Sequence, residues 1–218
     1  MKIKIVQDLI CPWCHIGHHN LEQALAGWSA KHGGERELQW LPYQLDPIAP
    51  GTPRQEFRQR FKDRKQATDE QIDAMFKRVT QAGAAVGIPF RFDLIEVAVD
   101  TLPGHIAIAT TPPAKQSALI QALYRAYFEQ GKDIGLTTEI LDAATIAGLT
   151  SDEQAGIVAA LTDESARTAV GSQIRQVQAA GVTGVPYFVI DDRYGLSGGQ
   201  PRDVFAQVFA QAHEPVLA

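Results

Sequence analysis

Cys11-Pro12-Trp13-Cys14 lies near the start of this 218-residue chain, between two regions of different periodicity. Apolar and polar residues alternate over residues 2–8 and predict a first strand, whereas residues 16–28 predict a helix. The two cysteines are the only ones in the sequence. The pattern therefore predicts a pair of thiols within reach of one disulfide, at a strand-to-helix junction.

The start of a helix favours an ionised thiol at Cys11. The first backbone N–H groups of a helix have no partners within it, and the positive end of the helix dipole lies there, so both stabilise an anion. Cysteines at such positions and in Cys-x-x-Cys pairs have pKa values of roughly 3.5 to 7.5, against about 8.5 for a free cysteine. Pro12 suits the first turn because its missing N–H would have no partner there. We expect Cys11 to be the reactive thiolate and Cys14 to be its shielded partner.

Two other interpretations give the cysteines no redox role. They could pack as small apolar side chains or form a structural bridge, but a disulfide that closes so short a loop constrains the unfolded chain very little. Cys11-Pro12-Trp13-Cys14-His15 also matches the c-type haem attachment pattern. Haem attachment outside the cytoplasm ordinarily accompanies an export signal, and we expect none here.

A metal site is a third alternative to the redox pair. Cys11, Cys14, His15 and His18 fall on one stripe of the predicted helix. One straight helix spreads such a stripe along about 10 Å of its axis. A tetrahedral zinc site needs four ligands that converge on one point. We therefore favour the redox dithiol and expect no metal site.

The composition is that of an ordinary soluble protein. With 218 residues and 45% hydrophobic content, the chain can bury a substantial core in one domain or in one domain that carries an insertion. A net charge of -5 argues against nucleic acid or an anionic membrane surface as the main partner. Met1 leads directly into a predicted strand without an apolar secretion segment, so we expect a cytoplasmic protein. Disulfides are rare in that compartment, so oxidation of the pair should be transient and catalytic.

Helical periodicity fills the middle of the chain, between two portions that contain the predicted strands. A second strand is predicted over residues 35–45 and a linker with three prolines over residues 46–53. After the helices, Tyr187–Ile190 is predicted to be a strand buried on both faces, followed by a strand at Tyr194–Ser197 and a helix over 201–212. The intervening helices are predicted over residues 54–67, 69–86, 114–130, 138–147, 151–161 and 163–180.

The order of these elements predicts an α/β protein, with a thioredoxin-like fold that carries a large all-helical insertion domain. Residues 1–52 and 172–218 would form the thioredoxin-like domain. Residues 53–171 would form the inserted helical domain.

Several polar residues near the thiol pair are candidates for supporting roles. Asp8 precedes Cys11 by three positions, and its carboxylate could either pass protons to and from Cys14 or simply end the strand and accept N–H bonds. By helical spacing His15, His18 and His19 face solvent, where they would either adjust the local charge or act as ordinary surface imidazoles.

Two candidates lie far from the cysteines in the sequence. His105 follows Pro103-Gly104 at the start of a helix, and it could form the lip of an active-site groove or be an ordinary packed or capping histidine. Pro186 enters the strand at Tyr187, where a missing ladder donor is tolerable. With a cis bond between Val185 and Pro186, the turn can present the Val185 backbone outward, where it could pair with an extended substrate.

Taken together, these features resemble the DsbA family of thiol-disulfide oxidoreductases. The resemblance rests on Cys11-Pro12-Trp13-Cys14 after a short first strand, on the helical insertion, and on Gly184-Val185-Pro186-Tyr187-Phe188-Val189 before the final hairpin. Within that family the chain is most similar to the FrnE-like branch. The pattern of that branch also covers Leu123-Tyr124-Arg125-Ala126-Tyr127-Phe128 and Gly195-Leu196-Ser197-Gly198-Gly199-Gln200.

The resemblance implies a thiol-disulfide oxidoreductase or isomerase in which Cys11 attacks, Cys14 resolves the mixed disulfide, and Pro186, expected in the cis form, shapes the substrate face. It implies no cofactor beyond the Cys11/Cys14 disulfide, with glutathione as a candidate co-substrate. The partner would be a disulfide-containing protein or a small thiol, and the chain a monomer or homodimer. The residues expected to contact the substrate are Pro12, Trp13, Val185 and His105.

The same fold also carries glutathione-dependent enzymes, which provide an alternative function. The kappa-class glutathione transferases and the 2-hydroxychromene-2-carboxylate isomerases use a serine near the first-cysteine position, so retention of both thiols here argues against that chemistry. The chain departs from the FrnE-like pattern in two places. His15 stands where the branch usually has an aromatic residue, and Leu102-Pro103-Gly104-His105 differs from the usual Thr-x-x-Ala-His.

Overall fold

The computed structural model describes residues 1–33, 36–49 and 51–213. The chain forms two compact units, one containing Met1–Tyr43 and the C-terminal part of the chain from Gln173, and the other containing Gln44–Ser172. Each unit has its own core, and each is built from the elements that the sequence periodicity predicts.

The first unit contains a four-stranded mixed sheet in the order β2-β1-β3-β4. β1 pairs in parallel with β2 and antiparallel with β3, and β3 pairs antiparallel with β4. In the register, Ile5 of β1 lies between Trp40 and Phe188. The predicted first residues of the second strand include Glu35, which lies outside the described residues. The strands are β1 (Lys2–Gln7), β2 (Glu37–Pro42), β3 (Tyr187–Ile190) and β4 (Tyr194–Ser197).

Two helices lie wholly within the described part of this unit, α1 (Pro12–His32) and α9 (Arg202–His213), and they pack against each other. The core between sheet and helices includes Phe188 and Phe205, whose rings meet edge to face with centroids 4.9 Å apart. Burying a side chain of this size contributes about 1.5–3 kcal/mol. The sheet therefore packs against α9, and α9 in turn packs against α1, the helix that begins at the cysteine pair.

The prediction that β3 is buried on both faces is wrong. Phe188 and Ile190 are completely buried, whereas Tyr187 and Val189 are half-buried. The difference follows from the pairing, because β3 lies between two antiparallel neighbours, and antiparallel sheets commonly pack on only one face.

The second unit is helical, as its periodicity predicts. Its core is formed largely by α5, which buries Leu119, Leu123 and Tyr124 completely. Among the described residues no helix is long and apolar enough to cross a membrane. The helices are α2 (Phe57–Lys65), α3 (Asp69–Ala84), α4 (Leu102–Thr110), α5 (Pro113–Gln130), α6 (Thr137–Ile146) and α7 (Ser151–Thr162), with a 3-10 helix at Phe92–Leu94. A further helix, α8 (Glu164–Ala179), begins in this unit and continues past Ser172, where the unit ends.

The segment 44–52, which the sequence analysis assigned to the thioredoxin-like domain, belongs to the helical unit. The guanidinium of Arg60 donates to both carboxylate oxygens of Asp46, at 2.7 and 2.6 Å. Arg64 donates to the carbonyl of Leu45 at 2.6 Å. These bonds hold the segment against α2. The prolines and polar residues of the segment predict a linker, but they do not indicate which unit the linker contacts.

Candidate active site

The cysteine pair lies at the N-terminus of α1. Cys11 is the N-cap residue, and its Sγ accepts a hydrogen bond from the backbone N–H of Cys14 at 3.3 Å. Pro12 occupies the first helical turn, where no N–H is needed. Both cysteines are free thiols. The sulfur of Cys11 thus occupies the position where a helix end stabilises an anion.

Cys14 lies in the more protected position, with 1% of its surface exposed. Burial raises the pKa of the Cys14 thiol well above its ordinary value, and the hydrogen bond and charge of Cys11 raise it further. Its thiol therefore retains its proton near neutral pH. Cys11 is also buried, at 2% exposure, so a substrate must reach its sulfur through a narrow opening or after a local movement.

The Val185–Pro186 turn lies directly beside Cys11. The peptide bond between Val185 and Pro186 is cis, and the thiol of Cys11 donates to the carbonyl oxygen of Val185 at 3.4 Å. Pro186 is buried and Val185 is half-buried. Residues 174 positions apart in the sequence therefore form one site.

Two glycines allow the chain to approach closely around this site, and sequence reasoning did not assign them a role. A Cβ at Gly17 would lie 3.0 Å from the ring of Phe188 and 3.2 Å from Cγ of Pro186. A Cβ at Gly199 would lie 2.8 Å from the carbonyl oxygen of Trp13. The only signal in the sequence was the Gly198-Gly199-Gln200 motif of the family pattern.

The prediction that His15 and His18 face solvent is wrong. Their exposures are 5% and 1%. The ring of His18 packs edge-on against Trp40 with centroids 4.6 Å apart, and its Nε2 lies 3.6 Å from a carboxylate oxygen of Glu22. His19 is half-buried. The first turns of α1 are buried on nearly every side, so the assumption of one solvent-facing stripe fails there.

Asp8 is completely buried at the end of β1. Its backbone carbonyl accepts a hydrogen bond from the N–H of Cys11 at 3.0 Å. Its carboxylate also contributes to the raised pKa of the Cys14 thiol. Proton transfer by this carboxylate stays a prediction.

The other predicted contact residues fall in different places. Pro12 and Trp13 are half-buried. The backbone at Gly199 lies close to the carbonyl oxygen of Trp13 and covers part of the first turn of α1. His105 lies in the first turns of α4 in the helical unit, with 3% exposure, and its role in a substrate groove stays a prediction. Within the described part of the chain, no group of three or more histidine, cysteine or acidic side chains could hold a metal ion.

Comparisons with known proteins identify the family and the fold. The sequence matches the DSBA-like thioredoxin domain family over residues 2–210. A probable DsbA oxidoreductase from Streptomyces coelicolor is 27% identical, with a TM-score of 0.83 over 100% of this chain and 93% of that one.

Two further solved structures share the fold at lower identity. The cytosolic disulfide reductase DsbM from Pseudomonas aeruginosa, solved with GSH, is 20% identical, with a TM-score of 0.68 over 98% of this chain and 100% of that one. A 2-hydroxychromene-2-carboxylate isomerase is 12% identical, with a TM-score of 0.67 over 97% of this chain and 95% of that one.

Proposed function

The chain belongs to the DSBA-like thioredoxin domain family, and on this premise we propose that its Cys11/Cys14 pair exchanges disulfides with protein or small-thiol substrates. The family and its structural relatives make the chain an enzyme of the disulfide oxidoreductase class. The observation that carries the finer proposal is the position of the Cys11 sulfur, which caps α1 and lies 3.4 Å from the carbonyl oxygen of Val185.

The reaction proceeds in two exchanges. The Cys11 thiolate attacks one sulfur of a substrate disulfide, forms a mixed disulfide and releases the other substrate sulfur, which takes up a proton. Cys14 then gives up its proton and attacks the Cys11 sulfur, which forms the Cys11–Cys14 disulfide and releases the second substrate thiol. Two electrons pass from the pair to the substrate, and the reverse sequence oxidises a substrate dithiol.

The residues around the thiols have two further roles, which are to accept a proton and to hold the substrate. The raised pKa of the Cys14 thiol means that the second exchange needs a proton acceptor, and the buried carboxylate of Asp8 is the candidate. The turn at Val185–Pro186 provides the main-chain surface on which an extended substrate lies. Pro12 and Trp13 flank the attacking sulfur, and the expectation that His105 contacts the substrate stays a prediction.

The small exposure of Cys11 favours slender, extended substrates over disulfides on a folded surface. Glutathione disulfide and unfolded protein segments have this shape. We propose glutathione as a co-substrate, which the DsbM structure with GSH supports, and no cofactor beyond the thiol pair. We place the reaction in the cytoplasm, since one protein of this fold is a cytosolic disulfide reductase. We also propose that the chain belongs to the FrnE-like branch, as a monomer or homodimer.

The proposal can be tested by adding excess glutathione disulfide to the reduced protein and mapping its disulfides by mass spectrometry. We expect an intramolecular Cys11–Cys14 disulfide with release of two glutathione thiols per chain. Thiols that stay free under these conditions would refute the proposal.

A glutathione-dependent transferase or isomerase remains the second candidate, because the 2-hydroxychromene-2-carboxylate isomerase shares the fold across nearly the whole chain. Such an enzyme needs no resolving thiol. Isomerase or transferase activity that survives Cys14→Ser would favour this candidate, whereas exchange activity that needs both cysteines excludes it.

A further inference from the structure

Hydrogen bonds tie the Val185–Pro186 turn to the chain on two sides. On one side the thiol of Cys11 donates to the carbonyl of Val185. On the other side the backbone N–H of Gly198 donates to the carbonyl of Pro186 at 2.8 Å. The turn therefore lies between the thiol and the loop formed by residues 198–200.

Asn20 connects that loop back to the helix that carries the cysteines. Its side-chain Nδ2 donates to the carbonyl of Gln200 at 2.9 Å, across 180 positions of sequence, and the residue is buried. Because Cys11 caps the same helix, the bonds form a closed ring that runs from the thiol along α1, through Asn20 and the 198–200 loop, and back to the thiol.

Asn20 provides a side-chain link between helix and loop. The backbone at Gly199 approaches the carbonyl of Trp13 so closely that no Cβ fits, so this position of the loop has no side chain with which to hold the helix. The side chain of Gln200 donates to the carbonyl of Ser197 at 2.6 Å and so stabilises the loop itself.

We propose that Asn20 is a positioning residue for disulfide exchange. It holds the 198–200 loop, and through that loop the Val185–Pro186 turn, at a fixed distance from the Cys11 sulfur. The inference rests on the proposed function, in which the substrate backbone lies on this turn. Without the amide of Asn20 the thiol keeps its place at the helix end, but the surface that docks the substrate is no longer fixed against it.

The test compares Asn20→Ala with Gln23→Ala, which removes an exposed side-chain amide one turn further along the same helix. Single-turnover reduction of glutathione disulfide is measured over a range of concentrations, and alkylation of Cys11 by iodoacetamide is measured in parallel. For Asn20→Ala the half-saturating concentration should rise about three- to tenfold while the limiting rate stays unchanged, because a docking interaction is lost. The alkylation rate should stay at the wild-type value, and Gln23→Ala should match the wild type in both assays.

Gly199→Ala tests the same ring at another link and should show the same pattern, since its Cβ would press on the Trp13 carbonyl. A half-saturating concentration unchanged in Asn20→Ala would overturn the inference. Equal decreases in the rate of Cys11 alkylation and in the rate of disulfide exchange would also overturn it, because they would show that the substitution lowers the reactivity of the thiol itself. If circular dichroism shows that Asn20→Ala does not fold, the role of Asn20 is in stability and the inference is overturned. Wild-type protein that does not react with glutathione disulfide would instead refute the proposed function.

Discussion

The thiol of Cys11 lies within hydrogen-bond distance of the backbone of Val185, with 3.4 Å between the sulfur and the carbonyl oxygen. A substrate sulfur that bonds to Cys11 must lie within about 5–6 Å of that carbonyl oxygen, since a disulfide bond is about 2 Å long and the Cys11 sulfur is 3.4 Å from the oxygen. The attacking sulfur therefore lies beside the backbone of the Val185–Pro186 turn, with which an extended substrate could pair.

The two thiols should differ sharply in reactivity. Iodoacetamide should modify Cys11 first in the native reduced protein, because burial raises the pKa of the Cys14 thiol and keeps it protonated near neutral pH. Modification of Cys14 should begin only as the pH rises above the ordinary range of a free cysteine. Peptide mapping by mass spectrometry measures both sites, and equal labelling of the two at neutral pH would contradict the assignment.

Removing the charge of Asp8 should lower the pKa of the Cys14 thiol. The carboxylate opposes ionisation of the nearby sulfur, so Asp8→Asn takes away one cause of the upward shift. Thiolate ultraviolet absorbance in the Cys11→Ser background isolates the Cys14 titration. The titration curve should move to lower pH in the Asp8→Asn variant, and a shift to higher pH would show that this carboxylate does not act as described.

A side chain at Gly17 should require Phe188 and Pro186 to shift, because a Cβ there would lie 3.0 and 3.2 Å from them. We expect Gly17→Ala to lower the free energy of unfolding by about 1–3 kcal/mol. Gly27→Ala is the matched control on the same helix, where a Cβ meets nothing within 4 Å, and it should stabilise by about 0.5–1 kcal/mol. Urea denaturation measures both changes. Equal effects of the two substitutions would show that the close approach at Gly17 is unimportant.

The start of the helical unit at residue 44 should depend on Arg60. Arg60→Gln breaks the paired bonds to Asp46, so amide hydrogen exchange should accelerate in residues 45–49 but not in the sheet. Arg58→Gln is the control, because its partners Asp69 and Asp73 are exposed and such pairs contribute about 0–1 kcal/mol. If amide hydrogen exchange in residues 45–49 is the same in Arg60→Gln as in the wild type, Arg60 does not hold this segment.

Most of the fold could be predicted because its elements carry clear periodicity. The strands at Tyr187–Ile190 and Tyr194–Ser197 have the predicted bounds, and α3, α5 and α7 begin or end within two residues of the predicted positions. Thr150 caps α7, and Thr150 and Glu153 form a reciprocal capping box, a pair of residue types that is typical of a helix start. Local signals were sufficient in these places because the residues that decide each element lie within it.

The site was only partly predictable because long-range contacts decide the rest. The first half of α1 is buried on most sides, so His15 and His18 could not be oriented from helical spacing alone. Gly17 and Gly199 matter only because Phe188, Pro186 and Trp13 lie against them. Asn20 reaches a partner 180 positions away, and no spacing within the helix indicates such a contact.

Trapping the mixed disulfide in the Cys14→Ser variant tests the central claim most directly. After incubation with glutathione disulfide, mass spectrometry should find one glutathione bound to Cys11, because the thiol that would displace it is gone. Cys11→Ser should carry no adduct under the same conditions, since burial keeps Cys14 protonated. An adduct confined to Cys11 of the Cys14→Ser protein is the predicted result, and the absence of any adduct at Cys11 would contradict the account.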